Sequence, residues 1–338
     1  MNSPNAPGAG GAVDPMMLVA PEFREVAARL AAQAADGPPR TAASIPQIRR
    51  AMPITDTAPL ADVDHFMRRV PGRAGDPDVP VHAINARAGD RRPAILHTHG
   101  GGHIAGSAAD EIRRMQLLAR QLDCVIVTID YRLSPEVTFE ASTEDNYAGL
   151  RWLHTHADEL GVDTARIALL GESAGGTHAA LLAAMALDRG EYPIAFQCLI
   201  YPMLDDRTGT TRPAPPHIGC YAWTPEENRL GWACFLGTAP GGEAVPSAAV
   251  PSRRRDLRGL PPAFIGTGAI DLFVLENIAY ASRLIEAGVA TELLVIPGGY
   301  HGFDIFVPDC AASRRFERAK LDALRRGLGI ARREPEPR

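Results

Sequence analysis

Apolar residues follow two alternating rhythms along this chain. From residue 92 onward, short continuous apolar runs recur: RPAILHTH (92–99), DCVIVTIDY (123–131), RIALLG (166–171), PIAFQCLIYP (193–202), PAFIGTG (262–268) and TELLVIP (291–297). Runs of this length bounded by turn residues read as strands buried on both faces. Stretches with helical spacing fall between or after them: AADEIRRMQLLARQL (108–122), STEDNYAGLRWLHTHADEL (142–160) with an acidic first turn, the small-residue stretch AGGTHAALLAAMAL (174–187), and segments near 276–287 and 311–327. Strands alternating with helices predict βαβ units, and those predict a mostly parallel sheet with helices on both faces.

Three regions depart from this rhythm. Within 61–86, the strand-like stretches VDHFMRRV and VPVHAINA flank the turn-rich PGRAGDPD, which predicts an antiparallel hairpin and so a mixed sheet. Residues 15–36 carry apolar side chains at helical spacing, with Pro15 suited to a first turn and Gly37–Pro38 to a stop. A Pro-rich segment continues to 60, and residues 1–14 have the Gly, Pro, Ala and Asn content of a disordered tail. Between Pro202 and Pro262, only TPEENRLGWACFLG (224–237) looks helical. An insertion of that length usually has a function, such as a lid.

Composition narrows the function. The chain has 338 residues and a net charge of −5, which gives no footprint for nucleic acid or an anionic membrane surface. The run Arg253–Arg255 reads as a solvated loop. Five cysteines, widely spaced and without a CxxC, fit free thiols in a reducing compartment. No apolar run spans a bilayer and no secretory signal pattern opens the chain, so the expectation is a cytoplasmic protein.

The strongest chemical signal is GESAG at 171–175. It follows a predicted strand and opens a predicted helix, the setting that a nucleophile elbow requires. Gly171 and Gly175 leave room where a Cβ would collide with the neighbouring backbone, and the helix N-terminus below Ser173 supplies unpaired N–H groups. A serine nucleophile needs a base, and the base needs an orienting carboxylate. In this architecture they follow in the order Ser, acid, His, after strand ends. Asp271, past AFIGTG, and His301, past TELLVIP, meet both conditions. Asp271 is also placed to cap the next helix. Glu276 is a rival acid inside that helix, and Asp304 follows the histidine, in the wrong order.

HTHGGGHIAG at 97–106 has two readings. Gly100, Gly101 and Gly102 follow a strand and precede a helix, so their amides can serve as oxyanion donors with the amide of Ala174. Alternatively, His97 and His99 form an H-x-H whose side chains would share one face of a strand, as in some metal-dependent hydrolases. No third ligand or acidic cluster follows. His65, His82, His154, His156, His178 and His217 read as surface or packing residues.

Taken together, HGGG (99–102) with HIAGSA, DYRLSPE (130–136), GESAGG (171–176), YPMLDD (201–206), DLF (271–273) and HGF (301–303) resemble the bacterial hormone-sensitive-lipase-like (family IV) carboxylesterases of the α/β-hydrolase fold. The resemblance implies an eight-stranded sheet in a catalytic domain at 61–330, N-terminal cap helices at 15–60, and a cap contribution from 203–250. It implies Ser173, Asp271 and His301 as triad, Gly101, Gly102 and Ala174 as oxyanion donors, and His99 with Gly100 supporting the loop. It also implies short- to medium-chain ester substrates, no cofactor, and often a homodimer. DLF stands where DPL is frequent, and Ser134 stands where Ala is usual. His97 and His103 lie where other residues are common. A specialised ester, lactone or amide remains an alternative substrate, and a metal-dependent hydrolase or a non-catalytic receptor an alternative function. Met16, Met17, Phe23, Tyr221, Trp223 and Trp232 either line an acyl or alcohol pocket or pack the cap.

Overall fold

The computed structural model describes residues 13–37, 40–51 and 58–331. Most of the expected tail, residues 1–12, lies outside them. Eight strands form one sheet: β1 (His65–Val70), β2 (Val79–Ile84), β3 (Arg92–Thr98), β4 (Val125–Ile129), β5 (Val162–Glu172), β6 (Phe196–Ile200), β7 (Ala263–Gly268) and β8 (Thr291–Ile296). Their order is β1-β2-β4-β3-β5-β6-β7-β8. β2 runs antiparallel to both β1 and β4, and every later pairing is parallel. The expected hairpin therefore forms one end of an α/β sheet, where edge strand β1 turns Arg68 and Arg69 to solvent.

The helices are α1 (Pro15–Leu18), α2 (Arg24–Asp36), α3 (Ile45–Ala51), α4 (Ile112–Leu122), α5 (Phe139–Thr155), α6 (Ala157–Leu160), α7 (Ala174–Arg189), α8 (Pro225–Leu236), α9 (Val274–Glu286), α10 (Phe303–Phe306) and α11 (Ala311–Gly327). Strands β3, β4, β6 and β7 are buried along their whole length because helices cover both faces. On one face Leu96, Val127 and Leu169 pack with α5, α7 and α9. On the other, Ile95, Ile126 and Leu170 pack with α4 and α11. Truncating such a residue to alanine costs about 2–5 kcal/mol.

Several boundaries differ from the sequence reading. The expected helix at 15–36 is broken: Ala20 is extended (φ −59°, ψ 142°) and its N–H bonds Gly298. Pro21 explains the break, because its ring disfavours helical backbone in the residue before it. The helix expected at 142–160 starts earlier, at Phe139, so Glu140 is the acid of its first turn; it then stops at His156 and resumes as α6. β5 starts at Val162 rather than 166, with a register jump opposite Arg92–Ala94.

The insertion after β6 is ordered around α8. Thr224 and Glu227 form a reciprocal capping box and Pro225 occupies the first turn. Trp232, Phe235 and Leu236 of α8 bury against Ala174, Met203, Leu272 and Phe273. Ile45 and Ile48 of α3 pack with Ile104, Leu230 and Cys234. Both elements thus sit at the carboxyl ends of the strands, beside the start of α7. No helix among the described residues is long and apolar enough to cross a membrane.

Candidate active site

Ser173 occupies the turn between β5 and α7 with φ 57° and ψ −121°. A non-glycine residue there costs about 1–3 kcal/mol, and such strain persists only where the surroundings enforce it. Here the Ser173 N–H donates to Ile200 O (2.9 Å), and the Ser173 carbonyl accepts from Met203 N (3.0 Å). The flanking glycines are needed for space. A Cβ on Gly171 would collide with Gly175 O, and one on Gly175 would lie 2.7 Å from His99 O.

The turn brings Ser173, His301 and Asp271 together. His301 Nε2 lies 2.9 Å from Ser173 Oγ, and His301 Nδ1 lies 2.9 Å from Asp271 Oδ2. The geometry assigns the Nδ1 proton to the Asp271 side and leaves Nε2 to accept from the serine hydroxyl. Asp271 is fully buried, and its Oδ1 accepts from Phe273 N (2.8 Å) at the start of α9. It therefore fills both roles open in the sequence, holding the turn before the helix and holding the imidazole. Phe273 and Tyr201 press edge-on against His301, with ring centroids 5.2 and 4.8 Å away.

The rival acids are engaged elsewhere. Glu276 accepts from the N–H groups of Leu204 (2.6 Å) and Asp205 (3.3 Å) and from the Thr208 hydroxyl, so it anchors the root of the insertion. Burial raises its carboxyl well above the usual range. Asp304 is half-buried, and desolvation, only partly offset by Lys320 and Arg114, raises it too.

The glycine loop closes over the turn. Gly101 (φ 121°) and Gly102 (φ 62°) have backbones that side chains rarely adopt. The amides of Gly101, Gly102 and Ala174 donate to no carbonyl of the described residues. A Cβ on Gly100 would lie 3.1 Å from Glu172 O, and one on Gly102 would collide with the Trp223 indole. His99 Nδ1 bonds its neighbour's carbonyl, Gly100 O, at 2.8 Å, and the His99 ring stacks on Tyr131 at 4.3 Å. The Tyr131 hydroxyl donates to His99 O at 2.6 Å.

His97 and His99 do not converge as the metal reading supposed, because β3 ends at Thr98. His97 bonds Thr128 Oγ1 (2.8 Å) and Glu172 Oε2 (2.9 Å) instead. Among the described residues, no three His, Cys, Asp or Glu side chains are grouped to hold a metal ion. Of the six pocket candidates, Phe23 and Trp232 are fully buried, Tyr221 packs against Tyr300, Met16 packs on the core and Met17 is exposed. Trp223 alone lies over the glycine loop, 6.3 Å from the His301 ring.

Several site neighbours carry no local sequence signal. Glu172 is buried between His97 and Arg114, whose Nη2 is 3.1 Å from Glu172 Oε1. Desolvation opposes its charge, but Arg114 and His97 outweigh it and hold the carboxyl below its usual range. His103 and His178 form a second buried cluster with Thr177 and Phe235.

The chain is similar to a family of known proteins. The family described as alpha/beta hydrolase fold matches residues 95–305. The chain is 35% identical over 268 residues to carboxylesterase NlhH of Mycobacterium tuberculosis, covering 77% of this chain and 82% of that protein. It is 34% identical to esterase LipI of the same organism, covering 70% of this chain and 71% of that protein. Among solved structures, a bacterial heroin esterase superposes with a TM-score of 0.83 at 35% identity, covering 93% and 99% of the two chains. Esterase LipW from Mycobacterium marinum gives 0.80 at 34% identity, covering 92% and 96%. The chain belongs to the hormone-sensitive-lipase-like carboxylesterase family of the α/β-hydrolase fold.

Proposed function

We propose that the protein is a serine carboxylesterase acting on short- to medium-chain esters through an acyl-enzyme. The observation that carries this is the relay from Ser173 Oγ through His301 to buried Asp271, set on a strained turn at the strand ends. Ser173 Oγ attacks the ester carbonyl while His301 Nε2 takes its proton. His301 then passes that proton to the leaving alcohol. Asp271 orients the imidazole and stabilises its cation. Water repeats the cycle on the acyl-enzyme, releasing the acid and freeing Ser173. The amides of Gly101, Gly102 and Ala174 receive the oxyanion. Each such donor is worth about 10²–10³ in rate.

The N-terminal helices and the 203–250 insertion act as a cap. Trp223, over the glycine loop, restricts room beside the serine, which supports small acyl or alcohol groups. A homodimer is supported by edge strand β8 and the exposed Leu275, Ile278, Ile285 and Leu293 on and beside it; sedimentation of a monomer at micromolar concentration would contradict it. A panel of p-nitrophenyl esters from C2 to C12, run with and without EDTA, tests the reading. Turnover should peak at short chains, ignore the chelator, and fall by about 10⁶ in Ser173→Ala, as for comparable serine hydrolases. Retained activity in Ser173→Ala, or loss to EDTA with restoration by Zn²⁺, would sink it.

A further inference from the structure

We propose that His103 is a positioning residue that ties the glycine loop to the nucleophile turn and so sets the two halves of the oxyanion site relative to one another. This rests on the esterase reading above. His103 follows Gly101 and Gly102 as a third residue at positive φ (68°), but unlike them it has a Cβ and is strained there. It is 1% exposed. Its carbonyl accepts from Ser134 N at 2.9 Å, and its ring stacks on Phe235 of α8 at 3.9 Å with an interplanar angle of 13°.

The hydrogen bonds around the ring admit one consistent direction. The Thr177 hydroxyl donates to Met203 O, so its oxygen is left to accept from His103 Nε2–H at 3.5 Å. His103 Nδ1 is then an acceptor, 3.4 Å from His178 Nε2, which donates. His178 Nδ1 ends the chain as a buried lone pair without a partner. Met203 closes the circuit, because its N–H bonds the carbonyl of Ser173. His103 thus links the peptide beside Gly102 to the peptide beside Ala174 through Thr177 and Met203. The contacts at 3.4–3.5 Å are long, so each is weak alone; the ring stack and α8 hold the register. Helix α8 closes this side tightly, since a Cβ on Gly231 would lie 2.7 Å from Gly102 O.

The test uses the full chain, with active serines titrated by paraoxon so that rates are per active site. His103→Phe keeps the stack on Phe235 and removes both ring hydrogen bonds. Thr177→Val breaks the same chain from the α7 side with little change in volume. Each should lower kcat about 10-fold with KM within threefold, short of the 10²–10³ expected for losing a whole donor. Affinity for a trifluoromethyl ketone, whose tetrahedral adduct uses the same donors, should fall in proportion to kcat/KM. His103→Gln, which keeps an N–H toward Thr177, should recover most of both. The double variant His103→Phe/Thr177→Val should be no worse than the poorer single. A purely structural role would lower the melting temperature and the titrated fraction but leave the ketone affinity per site unchanged, and that result would overturn the proposal. If one variant does not fold, the other reads the same quantities. Wild type that titrates no serine overturns the esterase reading and this inference together; wild type that titrates normally beside unaffected variants overturns this inference alone.

Discussion

Two buried polar clusters flank the Ser173 turn, and each takes a histidine from the same short stretch, HTHGGGH. Toward α4 and α11, His97 meets Glu172, Arg114 and, through their field, Lys320. Toward α7 and α8, His103 meets His178, Thr177, Trp232 and Phe235. The first cluster is built on formal charge. Glu172 is held ionised, and Arg114 and Lys320 stay cationic because acidic neighbours outweigh the cost of burial. The second is neutral. Burial alone, with no carboxylate beside it, pushes His103 down to about 3, and burial followed by repulsion from His103 and His99 pushes His178 well below its usual value. Burial disfavours charge on both sides, and only the presence of a counter-charge decides whether it survives. The glycine loop, whose amides are the proposed oxyanion donors, lies between them.

The sharpest break falls on the relay that both clusters surround. Asp271→Asn should lower kcat by about 10⁴, as in related triads, because the amide favours the wrong imidazole tautomer. Steady-state kinetics on a panel ester reads this, and a loss under tenfold would remove Asp271 from the relay.

Next in size is the charged cluster. Glu172→Met leaves Arg114 with Glu111 alone and His97 with Thr128 alone. Removing one partner of a buried pair costs about 3–5 kcal/mol. On the neutral side, His178→Phe strips one donor from His103 and should cost about 1–3 kcal/mol. Urea unfolding of the two variants compares them directly; equal losses would mean that the two clusters do not differ in charge.

Acid separates the clusters by pH. His99, His103 and His178 all have pKa values lowered by burial. Below pH 6.5 the unfolded chain binds protons at these positions and the folded chain does not, so stability falls as pH drops. Each histidine contributes about 1.4 kcal/mol per pH unit until its folded value is reached. Glu172 is also lowered, but its contribution persists down to its unfolded value near 4.5 and is lost only below that. Melting temperature should therefore decline already between pH 6.5 and 5, and His178→Phe should flatten that slope. A flat profile above pH 5 in the wild type would contradict the neutral assignment.

The sheet and the relay were legible because their signals are local. GESAG sits between a strand and a helix that are adjacent in sequence, and Asp271 and His301 each follow a readable strand. The break at Ala20–Pro21 has a local signal in the proline, but helical spacing across 15–36 masked it and it was missed. The early start of α5 was hidden because Thr138, Phe139 and Glu140 look like loop until the packing of Phe139 against Phe235 is seen. The two clusters were not legible at all. His97 finds Glu172, and His103 finds His178, across 75 residues each, and no spacing rule connects them. The same holds for Trp223 and Gly231, whose contact with the glycine loop exists only once the insertion folds back over it.

Everything proposed for this site depends on Ser173 being the nucleophile. Intact-mass and peptide analysis after treatment with a fluorophosphonate tests it most directly. One adduct per chain is expected, on the peptide carrying Ser173, and none in Ser173→Ala. An unlabelled wild type, or an adduct that persists in Ser173→Ala, would contradict it.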